Sequence, residues 1–342
     1  MQRRDDEARE PGPLAGRALR LVCYVVLVMA AASNLGSIAL AQGFPSRPLK
    51  LVVPMAQGGP ADSGARLFAS SLGDILGQNV IVENRSGASG VVGTEAVVKS
   101  APDGYTLLFG SSSVFAVNPA VIPNLRFDVR RDLKLIGLLM QTDLVFASRP
   151  GVGANTLAEL IKTAKAHPGK LSFASSGNGG ITHLLAELLG LEAGISLLQI
   201  PFRGAGPAII GMLSSDADLT ASGIPGLAQH IKSGKAVGVG IASPARSPLM
   251  PDVPTFAEQG YPGVEAQNWY GVAVAAATPA DIFETLDAAT SKVLASAGFK
   301  ATLEKIGMEL MAMGAKEAAP YIVREIDKWS RVAKAANIRL DP

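Results

Sequence analysis

Short apolar runs alternate along this chain with longer stretches in which apolar residues recur every three or four positions. Residues 49–54 and 79–83 are runs typical of buried strands, and residues 61–76 between them have the apolar periodicity of a helix. A Pro-Asp-Gly turn at 102–104 precedes a third predicted strand at 105–110. This order of strand, loop and helix predicts a parallel, doubly wound α/β sheet.

The same alternation restarts in the second half of the chain. Residues 157–166 predict a helix that ends at a His-Pro-Gly sequence, and residues 170–175 predict the strand that follows. The later segments are a helix at 182–193, strands at 197–200, 218–221, 237–242 and 269–275, and helices at 279–295 and 317–336. This recurrence predicts a second α/β unit of similar order.

The length of the chain also favours two units. Its 342 residues exceed what one hydrophobic core usually organises. Extended segments near 144–147 and 269–274 predict two crossings between the units. We therefore expect two hinged lobes, with lobe 1 formed by residues 42–142 and 264–342 and lobe 2 by residues 143–263.

Residues 1–41 have the three parts of an export signal. A polar stretch ends at Arg17 and Arg20, an apolar run covers 21–32, and an Ala-Leu-Ala cleavage pattern ends at Ala41. The apolar run is shorter than the roughly 20 residues of a membrane-spanning helix. We expect cleavage near Ala41 and a periplasmic mature protein, which would lack the only cysteine, Cys23.

Composition and motifs exclude several classes of function. A mature chain without cysteine has no disulfide, no thiolate catalysis and no cysteine-bound metal. The chain has 31 basic and 29 acidic residues, scattered along its length, so we expect no nucleic-acid partner. It lacks a nucleophile elbow and a nucleotide-binding glycine motif, and its three histidines form no metal-binding pattern. We therefore expect no cofactor, no metal and no enzymatic activity; the alternative is an exported hydrolase or lyase acting on a carboxylate with a loop serine.

Small polar residues follow the ends of several predicted strands. Open α/β sheets bind ligands there, against helix N-termini whose free N–H groups and dipoles attract anions. Two such loops belong to each expected lobe, so we expect an anion to be held from both sides. The loop residues are Gly58, Gly59 and Asp62, then Ser111, Ser112 and Ser113, then Ser175, Ser176, Gly177 and Asn178, and finally Ser222 before Gly223.

Three side chains near these loops have two interpretations each. Asp62 caps the helix that follows it, which we favour, or holds a water, hydroxyl or ammonium group of the ligand. Arg203 pairs with a ligand carboxylate or is a surface charge beside a turn. His183, one residue inside a helix start, donates to an anion or packs locally.

A series of short motifs runs through the predicted mature chain in a fixed order. Leu-Val-Val-Pro at 51–54 is followed by Gly58, Gly59 and Asp62, and Val-Glu-Asn-Arg at 82–85 by a glycine-rich loop. The others are Ala-Pro-Asp-Gly-Tyr-Thr-Leu at 101–107, Asn-Pro at 118–119, Phe-Ala-Ser-Ser-Gly-Asn-Gly at 173–179 with His183, Pro-Phe-Arg-Gly at 201–204, Ser-Pro at 247–248, Pro-Asp-Val-Pro-Thr at 251–255 and Trp-Tyr-Gly at 269–271. Together they resemble the Bug family, the solute receptors of tripartite tricarboxylate transporters.

The resemblance implies a type II periplasmic-binding-protein fold, with two lobes joined by two crossing strands and a small carboxylate in the cleft. It also implies recognition by backbone groups and waters, which adds Pro54, Met55 and Ala61 of the first loop and Gly204 beside Arg203 to the candidate ligand-binding residues. The implied partners are a membrane permease of the tripartite type or a sensor kinase, served by a monomeric receptor.

The chain departs from the family pattern where ligand specificity is expected. Gln57, Pro60 and Ala61 interrupt the glycine-rich first loop and remove a hydroxyl; Phe115 stands where a histidine is common, and Ser222 with Gly223 where Asp-Asn is frequent. A lost hydroxyl removes one possible hydrogen bond, worth roughly 0.5–1.5 kcal/mol. If Phe115 points into the cleft, it makes the cleft more apolar. We therefore hypothesise a less polar ligand than citrate, such as an aromatic or branched acid.

Overall fold

The structure is a computed structural model that describes residues 43–340. The predicted export signal, with Cys23, lies outside these residues, as do the last two residues of the chain. Among the described helices, none combines the length and the apolar character that a membrane crossing requires.

Strands and helices alternate through residues 43–340. The strands are β1 (Leu49–Val53), β2 (Val80–Asn84), β3 (Thr106–Ser111), β4 (Leu133–Ser148), β5 (Ser172–Ser175), β6 (Leu198–Pro201), β7 (Leu219–Gly223), β8 (Val237–Ile241), β9 (Gln267–Ala275) and β10 (Glu309–Gly314). The α-helices are α1 (Pro60–Leu76), α2 (Val91–Val98), α3 (Asn118–Val121), α4 (Val129–Asp132), α5 (Leu157–Ala166), α6 (Ile181–Ala193), α7 (Ala205–Leu213), α8 (Ile224–Lys232), α9 (Ala280–Leu294), α10 (Ala297–Lys305) and α11 (Ala315–Ala335). A 3-10 turn (Ala88–Gly90) precedes α2, and a π-helical turn (Ser113–Val117) precedes α3.

Two parallel groups of strands form the ends of the sheet. In the first, β1 lies between β2 and β3, with Leu51 opposite Val82 and Leu107. In the second, β5 lies between β6 and β7. The predicted β-loop-α order is therefore confirmed, and the carboxyl ends of three strands in each group open onto helix-starting loops, as parallel βαβ connections require.

The long strand β4 connects the two groups. Its residues 133–143 pair antiparallel with β9, and residues 144–148 pair antiparallel with β7. The partner of β4 thus changes between Asp143 and Leu144. We call β1, β2, β3, β9, β10 and the first part of β4 the first sheet, and β5 to β8 with the last part of β4 the second sheet. The lobe boundaries at 142/143 and 263/264 remain a prediction.

Buried aromatic side chains pack beside both sheets. Phe146 of β4 stacks on Phe173 of β5 with ring centroids 5.0 Å apart. Trp269 of β9 is fully buried and stacks on Phe115 at 6.1 Å. Rings in offset stacks of this spacing gain about 0.5–1.5 kcal/mol beyond their buried area, so these pairs stabilise the strands at the centre of the sheet.

The sequence predicted most elements to within two residues but missed some. It gave β4 only as a crossing near 144–147, because glycine and polar residues interrupt its apolar run before that point. It also missed the short helices α3 and α4, the helices α7 and α10, and the strand β10. The antiparallel strands β4, β8, β9 and β10 make the sheet mixed, whereas the sequence pattern predicted parallel pairing.

Candidate ligand-binding cleft

Loops that follow β1, β3 and β5 surround a cavity of about 380 Å³. Its walls combine the first loop (Pro54, Met55, Ala56, Ala61), the loop after β2 (Ser86, Gly87, Ser89, Gly90), Ser111, Ser113 and Asn118, the loop before α6 (Ser176, Gly177, Asn178, Gly179, Gly180, Ile181), and Asn268 and Tyr270 of β9. We call this cavity the polar chamber. It brings together loops from the first and second sheets.

A larger cavity of about 810 Å³ adjoins the polar chamber. The two share Met55, Ala56, Ala61, Asn268 and Tyr270 as lining residues. The larger cavity is lined mainly by apolar side chains and glycines at the starts of α7 and α8, together with Ile306 and Met308 before β10. We call it the apolar chamber.

Two helix N-termini face the polar chamber. In α1 the first backbone bond is that from the Ser63 N–H to the Gly59 carbonyl, and in α6 it is that from the Leu184 N–H to the Gly180 carbonyl. Backbone N–H groups that precede these bonds have no intrahelical acceptor. None of the described residues that line this chamber carries a charged side chain. Backbone N–H groups and helix dipoles therefore provide its positive potential.

Asp62 shapes the first loop from beneath it. Its carboxylate is buried and accepts hydrogen bonds from the Gly58 N–H at 3.0 Å, Arg66 Nε at 3.0 Å and Asn84 Nδ2 at 3.1 Å. Burial alone would raise the pKa of Asp62, but the bonds from Arg66, Gly58 and Asn84 hold it below its ordinary value. Asp62 does not line either chamber, so its contacts are those of a loop-shaping residue.

A hydrogen-bonded chain crosses the back of the polar chamber. Ser112 Oγ donates to Asn268 Oδ1 at 3.0 Å, and Asn268 Nδ2 donates to the Tyr270 hydroxyl at 2.9 Å. Ser111 and Ser113 line the chamber, whereas Ser112 is fully buried behind Asn268. Burial raises the pKa of Tyr270, so its hydroxyl stays protonated and can donate to an anion.

The loop before α6 is held by its own side chains. Ser175 Oγ accepts from Gln199 Nε2 at 2.7 Å, and the Ser176 N–H donates to Thr182 Oγ at 2.9 Å. His183 Nδ1 accepts from the Gly179 N–H at 3.0 Å. Ser175 and His183 therefore lie behind the lining, while Ser176, Gly177 and Asn178 reach the polar chamber.

The remaining candidates are divided between the surface and the apolar chamber. Gly58, Gly59 and Ser222 line the apolar chamber. Gly204 is at the N-cap of α7, where its N–H donates to the Ser176 carbonyl at 3.1 Å. Arg203 is exposed and lines neither chamber, and it has no ion-pair partner in residues 43–340.

Phe115 does not point into the cleft. It is buried in the π-helical turn against Trp269, and it borders a separate cavity of about 330 Å³ near Pro320 of α11. Gly110 makes room for it, since a Cβ there would lie 2.5 Å from the Phe115 ring. The suggestion that Phe115 makes the cleft more apolar is therefore wrong. The apolar lining comes from other side chains.

Sequence reasoning missed the residues that divide the cleft. Asn268 and Tyr270 lie between the two chambers on β9, and only the Trp-Tyr-Gly motif at 269–271 pointed to this strand. It also missed Ile209, Ile210 and Met308, because neither the helix α7 nor the segment before β10 was predicted.

The described lining of the polar chamber lacks the arrangement that serine catalysis needs. Ser111, Ser113 and Ser176 reach the polar chamber, but no histidine, lysine or carboxylate of the described chain shares its lining. A serine nucleophile requires an adjacent base. In the same part of the chain, no group of three or more His, Cys, Asp or Glu side chains is placed to hold a metal ion.

Comparison with known proteins identifies the family. The model of the tripartite tricarboxylate transporter family receptor matches residues 65–338, which is most of the chain. The chain belongs to this receptor family. Protein BugT of Bordetella pertussis is 34% identical to it over 317 residues, which cover 92% of this chain and 97% of BugT.

Solved structures agree with this assignment. The periplasmic binding protein BugD is 31% identical, with a TM-score of 0.75 over 86% of this chain and 99% of BugD. Rpa4515 of R. palustris, solved with adipate, is 28% identical, with a TM-score of 0.78 over 86% of this chain and 99% of that protein. The expected α/β periplasmic-binding-protein fold is thus confirmed. As a member of this receptor family the chain is a solute-binding protein, and the hydrolase or lyase alternative is not retained.

Proposed function

We propose that this chain is a periplasmic receptor that binds a small carboxylate in the polar chamber and delivers it to a membrane permease of the tripartite tricarboxylate type. The observation that carries the proposal is the pair of helix N-termini, α1 and α6, that face one chamber without a charged side chain. Such termini are ready-made sites for anions. The adipate bound to Rpa4515 supports a carboxylate as the anion.

The proposed binding residues follow from the chamber lining. Pro54, Met55 and Ala61 precede or begin α1, Ser111 and Ser113 follow β3, and Ser176, Gly177 and Asn178 precede α6. Asp62, Ser112, Ser175, His183 and Gly204 then support these loops. Under this proposal Arg203 is not a ligand contact.

Calorimetry tests whether the site recognises an anion. Protein purified from the periplasm is dialysed and titrated with adipate, malate, citrate and the neutral diamide of adipate. We expect at least one acid to bind with 1:1 stoichiometry and to be recovered unchanged, and we expect the diamide not to bind. Equal affinity for adipate and its diamide would contradict an anion site.

Tyr270→Phe tests the position of the site. The substitution removes the hydroxyl that faces the chamber and accepts from Asn268, a loss of about 1 kcal/mol or roughly fivefold in Kd. Tyr261→Phe is the matched control, since Tyr261 lies outside both chambers. Unchanged affinity in Tyr270→Phe, with both variants folded, would place the ligand elsewhere.

Export and delivery have separate tests. Mass spectrometry of the periplasmic protein should show cleavage after Ala41. In a strain that lacks the receptor, uptake of a labelled ligand acid should fall if the partner is a permease. Normal uptake with a lost transcriptional response to the acid would favour a sensor kinase instead.

A further inference from the structure

The apolar chamber is larger than a small diacid needs. At about 810 Å³ it is twice the volume of the polar chamber, and pockets of roughly 300–1,000 Å³ hold whole drug-sized ligands. A ligand confined to the polar chamber would leave this space to water. A ligand that fits the polar chamber therefore does not account for the volume of the apolar chamber.

Apolar side chains line the chamber from two directions. Ile209 and Ile210 of α7 and Pro225 of α8 come from the part of the chain that includes the second sheet, and Ile306 and Met308 come from the segment between α10 and β10. A Cβ at Gly307, whose φ is +73°, would overlap the Pro225 ring, so the two walls meet at that point. The apolar chamber therefore lies between one wall formed by α7 and α8 and another formed by the segment between α10 and β10.

Ile210 is the informative residue in this lining. It is 65% exposed, more than any other large apolar side chain in residues 43–340. Covering the exposed part of this side chain with an apolar ligand surface would lower the free energy, and the fold itself leaves most of the side chain in water. Ile210 therefore points to an apolar ligand surface.

Ala61 links the two chambers. It lies at the start of α1, lines both cavities and has only a methyl side chain. A ligand whose carboxylate lies at the α1 and α6 N-termini can extend past the Ala61 methyl group, with Asn268 and Tyr270 on the other side of the same junction. The titratable groups in the described lining of the apolar chamber are His230 and Tyr270.

We propose that the ligand is a monocarboxylic acid with an extended apolar body, which occupies the apolar chamber while its carboxylate occupies the polar chamber. This inference rests on the proposed function, since it requires the carboxylate site. It goes further by fixing which side of that site the rest of the ligand occupies. It also gives the exposed isoleucine at position 210 an apolar surface to contact.

A homologous series of acids tests the proposal. The periplasmic protein is titrated with straight-chain monocarboxylates from acetate to octanoate, with adipate as the diacid reference. Each buried CH₂ should tighten Kd by up to about fourfold, the equivalent of about 0.8 kcal/mol. If adipate binds but Kd is constant along the series, this inference is wrong and the proposed function stands. If no acid binds, including adipate, malate and citrate, both are wrong.

Ile210→Gln locates the apolar body. Glutamine retains the helix and is tolerated at an exposed position, so folding should be unaffected. We expect octanoate to bind about tenfold more weakly, while butyrate, whose shorter chain has less apolar surface to place against α7, changes less than twofold. Ile81→Gln is the matched control, because Ile81 is 57% exposed on the edge strand β2 and lines neither chamber. Equal losses for butyrate and octanoate, or no loss for either, would overturn the assignment.

Discussion

Replacing Asp62 by asparagine tests whether a buried carboxylate holds the first loop in its binding shape. The Asp62 carboxylate accepts from Gly58, Arg66 and Asn84, with donor–acceptor distances of 3.0 to 3.1 Å. Asparagine keeps one acceptor oxygen but presents an NH₂ group where the second oxygen was. That group faces N–H donors, so at least one bond is lost.

The structure sets the size of this effect. A hydrogen bond to a charged group contributes about 1.5–3 kcal/mol, but the Arg66 side chain is 48% exposed and water replaces part of its lost bond. Gly58 is an exposed residue, so water can also replace part of the bond that its N–H makes to Asp62. We therefore expect Asp62→Asn to lower the free energy of unfolding by about 1–2 kcal/mol, or Tm by about 2–5 °C.

The effect should depend on pH in a defined direction. The pKa of Asp62 in the folded protein lies below its ordinary value, so its stabilisation is present above about pH 4 and is lost as pH falls through the lowered pKa. The Tm difference between wild type and Asp62→Asn should therefore be larger at pH 7 than at pH 3. Ligand affinity at pH 7 should fall in parallel, because Gly58 and Ala61 belong to the same loop.

Thermal melts and calorimetry on both proteins provide the measurement, and Asp74→Asn is the control. Asp74 lies on the same helix but is exposed and has no ion pair within residues 43–340. If Asp62→Asn matches Asp74→Asn in both Tm and Kd, the carboxylate does not shape the loop.

Two further substitutions probe the middle of the sheet and the loop before α6. Burial raises the pKa of Asp143, so its contribution to stability is present at low pH and is lost as pH rises through that pKa. The Tm of Asp143→Asn relative to that of wild type should therefore increase as pH rises from about 4 to about 8, and thermal melts showing no increase would contradict this. Gly179→Ala places a Cβ 2.5 Å from Leu340 at a φ of +63°. The positive φ alone should lower the free energy of unfolding by about 1–2 kcal/mol, and the contact with Leu340 should lower it further. Gly169→Ala is its control in chemical denaturation, because it has a similar φ of +68° and no atom within 4 Å, and equal costs for the two would exclude a contribution from Leu340.

Much of the fold was predictable because local patterns decide it. The strand β1 and helix α5 have apolar periodicities that match their burial, and the predicted bounds of α5 agree with the structure. The strand β4 was not predictable in the same way. Its residues 133–143 include Gly137, which packs against the Met313 carbonyl of β10, a contact that depends on a strand far along the chain.

The sequence predicted which loops form the candidate site, but not which of their side chains line it. Glycine and serine after β1, β3 and β5 identified the helix-starting loops, because only the local order of strand and helix is needed to place them. Whether a side chain faces inward or supports its neighbours depends on hydrogen bonds within each loop. Ser112 faces Asn268 and His183 accepts from Gly179, and neither partner can be chosen from sequence spacing alone.

A cleft without charged side chains places particular demands on ligand binding. One helix N-terminus contributes about 0.3–1 kcal/mol to an anion at an exposed site and up to about 2 kcal/mol at a partly buried one, and the effect is confined to the first turn. Each terminus alone is therefore a weak site. The helix α1 follows strand β1 of the first sheet, and α6 follows strand β5 of the second sheet. An acid that engages both at once favours whichever arrangement brings them together, which is the differential affinity that ligand-driven closure requires. Arg203 would not supply this selectivity, because an exposed charge that lines neither chamber attracts anions in any arrangement.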